Sequence, residues 1–186
     1  GITDETFYDG MGHDFWAGLG VWQDGMDIQL AYNFDTKNFG RFKVSSAATY
    51  LRQYVIQSLP TDNPSNYVDG WSGSSLYARY RLRDTLDWNF KKWNVTLGHT
   101  YIPSVDDLAN GSPYRVSHYN TWDVQLGRSF SNSSNRWLKG LSFNVGINNF
   151  SNQMPPLIPS EGNQSHDIVS YDSIGRFIYF QAKYKF

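Results

Sequence analysis

The sequence predicts an all-β fold, namely an antiparallel up-and-down transmembrane β-barrel segment of about eight strands. Three observations support this prediction. Apolar and polar residues alternate with a period of two in successive segments, long and short connections alternate between those segments, and aromatic residues collect near the segment ends. Long loops on one rim and short turns on the other are typical of barrels that cross a membrane.

The candidate strands follow one another along the chain with no convincing helix between them. The first, Phe15–Trp22, is weak and precedes an Asp24-Gly25 pair that predicts a tight turn. In the others, apolar residues occupy one parity and polar or small residues the other, as expected of strands with one apolar face. These segments are 28–34, 42–50, 76–83, 93–98, 122–127, 141–148 and the ending YDSIGRFIYFQAKYKF, residues 171–186, in which the residues alternate over 177–186.

The connections between these segments differ in length in a regular order. Short connections at 36–40, 89–92 and 131–139 interleave with long ones at 57–75, 103–118 and 150–173. A meander of this kind places every long loop at one end of the sheet. The long-loop end would face outside the cell.

Aromatic residues are sorted in the same way. Those near the short-turn end are Trp88, Phe90, Trp93, Phe130, Trp137 and Phe186, and those near the long-loop end are Tyr50, Tyr54, Tyr101, Tyr119 and Trp122. Two such girdles are what two membrane interfaces select, although aromatic residues also favour strands in general.

Composition excludes several other classes of protein. The 16 basic and 17 acidic residues of this 186-residue chain give no electrostatic case for nucleic-acid binding. No cysteine is present, which excludes a disulfide scaffold and thiol chemistry. No apolar run has the roughly 18 residues that a transmembrane helix needs. Residues 1–12 lack the pattern of a signal peptide, so we expect one to have been removed or the chain to be a piece of a longer protein.

Several stretches resemble the C-terminal barrel strands of TonB-dependent outer-membrane receptors. They are LDWNFKKWNVTLGHTYIPSVDDL, YNTWDVQLGRSF, LKGLSFNVGINNFSNQMPP and the YDSIGRFIYFQAKYKF ending. The resemblance extends from about Trp71 to Phe186 and is most specific in Gly146–Pro156 and in the ending. It implies a large plugged barrel that imports a scarce nutrient such as a siderophore, a cofactor or an oligosaccharide. Family members have about 22 strands and a plug domain. This chain, by contrast, offers about eight candidate strands and no plug domain.

The resemblance therefore implies that residues 1–186 form one C-terminal barrel segment without a plug, in the bacterial outer membrane. The implied partners are outer-membrane lipid, the plug and remaining strands of the receptor, and the barrel-assembly machinery, which would read Phe186 as an assembly signal. TonB would be reached only through the missing plug. Neither an enzymatic activity nor a cofactor is implied, and no catalytic motif stands out.

Two alternatives remain open on the residues alone. One is a self-contained eight-stranded outer-membrane barrel with an adhesion or structural role, and the other is a soluble, aromatic-rich carbohydrate-binding β-sandwich. In a narrow barrel, the inward residues Arg79, Arg81 and Arg83 would need acidic partners, for which Asp35, Asp87 and Asp123 are available. In a wide lumen they would meet water or a plug.

Candidate site residues lie on the long loops and on one strand. For ligand binding by the external loops, the sequence offers Tyr67, Trp71, Tyr114, His118 and Asn163, whose rings and polar groups suit sugars or aromatic chelates. Ordinary loop packing is an equally good explanation. Arg79, Arg81 and Arg83 form a lumen-facing basic ladder that would guide an anionic solute or simply line a solvated wall. The histidine spacing predicts no metal site.

Overall fold

The computed structural model describes residues 6–8, 14–16, 20–59, 61–109, 111, 114–130, 135 and 137–185. Every regular element in these ranges is a β-strand. The strands are β1 (Thr6–Tyr8), β2 (Asp14–Trp16), β3 (Gly20–Thr36), β4 (Gly40–Gln57), β5 (Ser65–Asn66), β6 (Gly70–Trp71), β7 (Leu76–Tyr77), β8 (Tyr80–Phe90), β9 (Trp93–Ile102), β10 (Val105–Asp107), β11 (Arg115–Val116), β12 (Tyr119–Ser129), β13 (Leu141–Asn148) and β14 (Phe177–Tyr184).

One large antiparallel sheet contains eight of these strands. Its order is β14-β13-β12-β9-β8-β4-β3, and the short β5 pairs with the end of β4. Turns at 37–39 and 91–92 join β3 to β4 and β8 to β9, while the connections that follow β4, β9 and β13 are long. The predicted all-β meander, with long loops on one rim and short turns on the other, is confirmed.

The alternating residues sort onto two different faces of this sheet. Register pairs such as Tyr32 with Val44, Leu86 with Leu97 and Val145 with Phe180 form an apolar face. Pairs such as Asn33 with Lys43, Asp87 with Thr96 and Asn144 with Gln181 form a polar face. Aromatic rows cross the apolar face at both ends, with Phe42 opposite Trp88 near the short turns and Tyr50 opposite Tyr80 near the long loops.

The predicted turn at Asp24-Gly25 is wrong. Both residues lie inside β3, where the register slips so that Asp24 faces Gln53 and Gly25 faces Leu51. This is a β-bulge, in which Arg52 is the extra residue and pairs with the Asp24 carboxylate. A side chain at Gly25 would collide with the Tyr50 carbonyl, so glycine serves close strand packing here and does not form a turn.

The predicted strand 76–83 is also wrong in its bounds. Leu76 pairs with Trp71 in a separate small sheet, and the large sheet resumes only at Tyr80. From there β8 continues to Phe90 through Asp84, which occupies an apolar-face position and therefore interrupts the alternation. The last strand begins at Phe177, where the predicted alternation begins, and Tyr171 is buried in the loops.

No second layer covers the apolar face in the described part of the chain. Leu30 and Phe180 keep 67% and 68% of their surface exposed, and large apolar side chains are exposed along both β3 and β14. A soluble sandwich would bury such a face against another sheet. Among the residues described above, no helix has the length and apolarity that crossing a bilayer would take.

The two edge strands of the sheet run in the same direction. Both β3 and β14 lead from the long-loop rim towards the short-turn rim, because seven long strands alternate in direction from one edge to the other. Direct pairing of these edges would therefore be parallel. An antiparallel barrel built on this sheet needs further strands between β14 and β3.

Candidate functional site

The polar face of the sheet carries an open pocket just below the long loops. Its volume is about 310 Å³. Polar side chains from four strands and one loop line it: Asp27, Gln29, Thr49, Arg81, Arg83, Thr100 and Ser170. The pocket therefore offers two guanidinium groups in a wall that is partly polar and partly apolar.

Of the three residues of the predicted basic ladder, Arg81 and Arg83 lie on β8 and Arg79 precedes it. Arg83 donates to Thr100 Oγ1 at 2.9 Å and lies 3.9 Å from the Asp123 carboxylate. Arg81 donates from Nη2 to Ser170 Oγ at 2.8 Å. Arg79 precedes β8 and pairs with Asp69 at 2.7 Å, outside the pocket. Arg81 thus attaches the last long loop to the strand, whereas Arg83 remains more exposed.

The long loops pack together into a layer at one end of the sheet. A four-stranded sheet of order β11-β10-β6-β7 forms part of it. Its apolar core also takes in residues of the last loop and the ends of β9 and β12. The core consists of Trp71, Leu76, Ala78, Ile102, Val105, Val116, Tyr119, Ile158 and Tyr171. Burial of these side chains gives the loop layer and the adjoining ends of β9 and β12 a common apolar core, whereas the large sheet has exposed faces.

A buried carboxylate joins two of the long loops. Asp107, only 3% exposed, accepts hydrogen bonds from Ser160 Oγ at 2.6 Å and from Ser160 N at 3.1 Å. A third donor is Ala109 N at 3.2 Å. Such multiple bonds satisfy the buried charge and attach the 149–176 loop to β10.

Several polar atoms in the loop core have no hydrogen-bond partner among the described residues. They are Trp71 Nε1, Tyr119 Oη and Tyr171 Oη. Burial, followed by the nearby charge of Asp167, raises the pKa of the Tyr171 hydroxyl. The Tyr119 and Tyr171 rings lie 5.1 Å apart, so their hydroxyls are held in an apolar surrounding that keeps them neutral.

The five predicted loop residues are brought to the same layer, and none of them lines the pocket described above. Trp71 is buried in the core, so a ligand would reach its ring only after the loops rearrange. Tyr114 packs partly against that core. Tyr67 is half-buried, whereas His118 and Asn163 are exposed. Ligand contact by these residues stays a prediction.

Sequence reasoning missed an aromatic cluster beside the loop layer. Tyr77 stacks on Tyr54 at a centroid distance of 4.2 Å, and Tyr67 lies 6.0 Å from Tyr77. Only the pairing of β4 with the loops brings these rings together, since they come from separate segments of the chain. All three rings of this cluster are half-buried.

A second feature without a sequence signal is a hydrogen-bonded chain on the apolar face. Ser46 Oγ donates to Asp84 at 2.6 Å, Asp84 contacts His99 Nδ1 at 2.9 Å, and His99 Nε2 lies 3.0 Å from Asn120 Oδ1. His99 also stacks on Trp122 at 4.3 Å. Asp84 lies between the aromatic rows of Trp88 and Tyr80, in the middle of the apolar band.

The assembly signal predicted at Phe186 lies outside the described residues. Within the described ranges, no three His, Cys, Asp or Glu side chains converge as metal ligands would.

Fold and site together define a segment of antiparallel β-barrel wall with a folded loop layer on one rim. Solved structures of two receptors are similar to it. The siderophore receptor PirA from Acinetobacter baumannii matches 100% of this chain with a TM-score of 0.58 at 17% identity. A mutant of the ferric enterobactin receptor PfeA from Pseudomonas aeruginosa matches 89% with a TM-score of 0.56 at 15% identity.

This chain spans only 26% and 22% of the length of those two receptors, respectively. No protein-family model matches the sequence, and none of the curated proteins does. At these identities the likeness concerns the fold.

Proposed function

We propose that this chain is the C-terminal barrel portion of a TonB-dependent outer-membrane receptor that takes up a scarce nutrient, such as a siderophore, a cofactor or an oligosaccharide. The observation that carries the proposal is the match of the sheet and its loops, over 89% and 100% of the chain, to two siderophore receptors. The parallel direction of the two edge strands supports it further, because such a sheet calls for additional strands.

In this proposal the apolar face meets lipid and the polar face lines the lumen. Arg81 and Arg83 lie beneath the loop layer, where an anionic solute or the plug would pass. The aromatic pair Tyr67 and Tyr77 offers a stacking surface for an aromatic chelate or a sugar. Chemistry on the solute is not part of the role, and TonB would act through the plug.

The first measurement is the intact mass of the polypeptide extracted in detergent from its native membrane. We expect a mass several-fold above 21.4 kDa, because the plug and the remaining strands belong to the same receptor. A mass equal to that of this chain would contradict the proposal and favour a self-contained barrel.

Uptake by whole cells then tests the transport role. Cells expressing the complete protein should accumulate at least one labelled ferric chelate, corrinoid or oligosaccharide, and a protonophore should abolish the accumulation. Replacing Arg81 and Arg83 together by Gln should reduce uptake of an anionic solute, whereas Arg41→Gln, at the short-turn rim, should not. Uptake that is insensitive to the protonophore would exclude energised transport.

A further inference from the structure

Arg128 occupies an unusual place on the apolar face. It lies in β12 near the short-turn rim, opposite Trp93 of β9 and Phe143 of β13. Neighbouring positions on the same face of β12 are apolar, and the large side chains around it are aromatic. Arg128 is thus a cation at the edge of the apolar band, in the row of aromatic residues.

Two rings hold the guanidinium in position. Its Cζ atom lies 4.5 Å from the centroid of Trp93 and 4.7 Å from that of Phe130. Each ring attracts the cation through its electron-rich face, and together they orient the planar group and restrict its rotamers. The geometry is therefore fixed before any ligand arrives.

The donors of this guanidinium have no acceptor among the described residues. Arg128 Nε is buried without a hydrogen-bond partner, and no carboxylate there forms an ion pair with this side chain. Neither Nη atom is among the buried unpaired atoms of the described part, so their N–H groups reach the surface. Unpaired donors at the edge of a hydrocarbon layer are costly, which favours an anionic acceptor.

The charge of this rim identifies the kind of acceptor. The turn sequences TKNFG (36–40), NFKK (89–92) and FSNSSNRWLKG (130–140) contain lysine and arginine but no aspartate or glutamate. A basic rim attracts anionic lipid headgroups, and a guanidinium binds the two oxygens of a phosphate with a matching fork. Aromatic residues at the same level are typical of the headgroup region.

We propose that Arg128, framed by Trp93 and Phe130, binds the phosphate of a membrane phospholipid in the leaflet at the short-turn rim. The acyl chains lie along the apolar face above it, where Val124 and Leu126 continue the strand. This inference rests on the part of the proposed function that places the apolar face in lipid. It does not depend on the transported solute.

Native mass spectrometry of the complete protein in a neutral detergent tests the site. Phosphatidylglycerol is the probe, and diacylglycerol with the same acyl chains and inorganic phosphate are the two comparisons. We expect a retained phospholipid adduct, and Arg128→Gln should weaken it about tenfold or more, the size expected for a lost charge-assisted pair. Arg41→Gln, on the polar face of the same rim, should leave it unchanged.

Two results would overturn the proposal. One is an adduct of equal strength in the Arg128→Gln protein, and the other is equal occupancy by inorganic phosphate or by diacylglycerol alone. If Arg128→Gln does not fold, Trp93→Leu and Phe130→Leu keep the charge but remove the frame, and each should weaken the adduct. If the protein retains phospholipid but transports no solute, the lipid site is supported and the uptake proposal is refuted.

Discussion

At the scale of single residues, Asp106 and Asp107 show how neighbours with the same chemistry differ in role. Asp107 is buried and bonded to Ser160, whereas Asp106 is exposed and pairs with the exposed Arg115 at 2.7 Å. Their difference arises from the position of the 149–176 loop, which no local pattern reveals.

Asp107→Ala should loosen the 149–176 loop. The substitution leaves three donors without their acceptor, and we expect a loss of about 1–3 kcal/mol in the stability of the loop layer. Limited proteolysis of the complete protein measures this as faster cleavage within the loop. Asp106→Ala is the matched control, and its exposed ion pair should contribute at most about 1 kcal/mol. Equal cleavage rates for both variants would refute the assigned role of Asp107.

At the scale of elements, the alternation of residues predicted most of the large sheet, because apolar side chains on one parity dictate both face and register. It failed where two different physical effects intervened. At Asp24-Gly25 the residues that are typical of a turn lie in a β-bulge. At Asp84 a charged residue interrupts the apolar face of β8. The pocket and the loop core are formed by segments that are distant in the sequence. The residue alternation within any one strand therefore cannot predict them.

The hydrogen-bonded chain across β4, β8, β9 and β12 should matter for the stability of the sheet. Asp84→Leu leaves His99 Nδ1 and Ser46 Oγ without their partner on the apolar face of the sheet, and we expect a loss of about 1–3 kcal/mol. The double variant Asp84→Leu, His99→Leu removes both polar groups and should lose less than the single variant.

Urea unfolding of the complete protein in lipid vesicles compares the two variants with the unsubstituted chain. Leu86→Ala, at the next apolar-face position of β8, serves as a control for simple loss of side-chain volume. Additive losses in the double variant would mean that Asp84 and His99 are not coupled.

At the scale of the whole molecule, the two rims differ in charge as well as in loop length. Short turns are basic, whereas the long loops contain more acidic than basic residues, including Asp62, Asp69, Asp107, Glu161 and Asp167. This asymmetry gives the two ends of the barrel wall different environments. It accords with the proposed headgroup site at the short-turn rim.

The edge strands β3 and β14 run in the same direction, and this leads to a prediction about the complete protein. The 186 residues of this chain contain no cysteine, so a disulfide mapped between two introduced cysteines of this segment is an engineered one. Val145→Cys with Phe180→Cys joins register partners on β13 and β14 and should oxidise to a disulfide. Leu30→Cys with Phe180→Cys joins the two edges and should not, because the remaining strands of the receptor would separate them.

Positions Ile28 and Tyr32, tested in the same way with Phe180→Cys, allow for a shifted register along β3. Oxidation of any of these edge pairs within one polypeptide would mean that the described sheet closes on itself through a parallel contact. The lumen would then be too narrow for a plug, and Arg81 and Arg83 would have to be neutralised inside it by Asp27 and Asp123. With the edges kept apart, both guanidinium groups face a wide lumen, which is what solute passage requires.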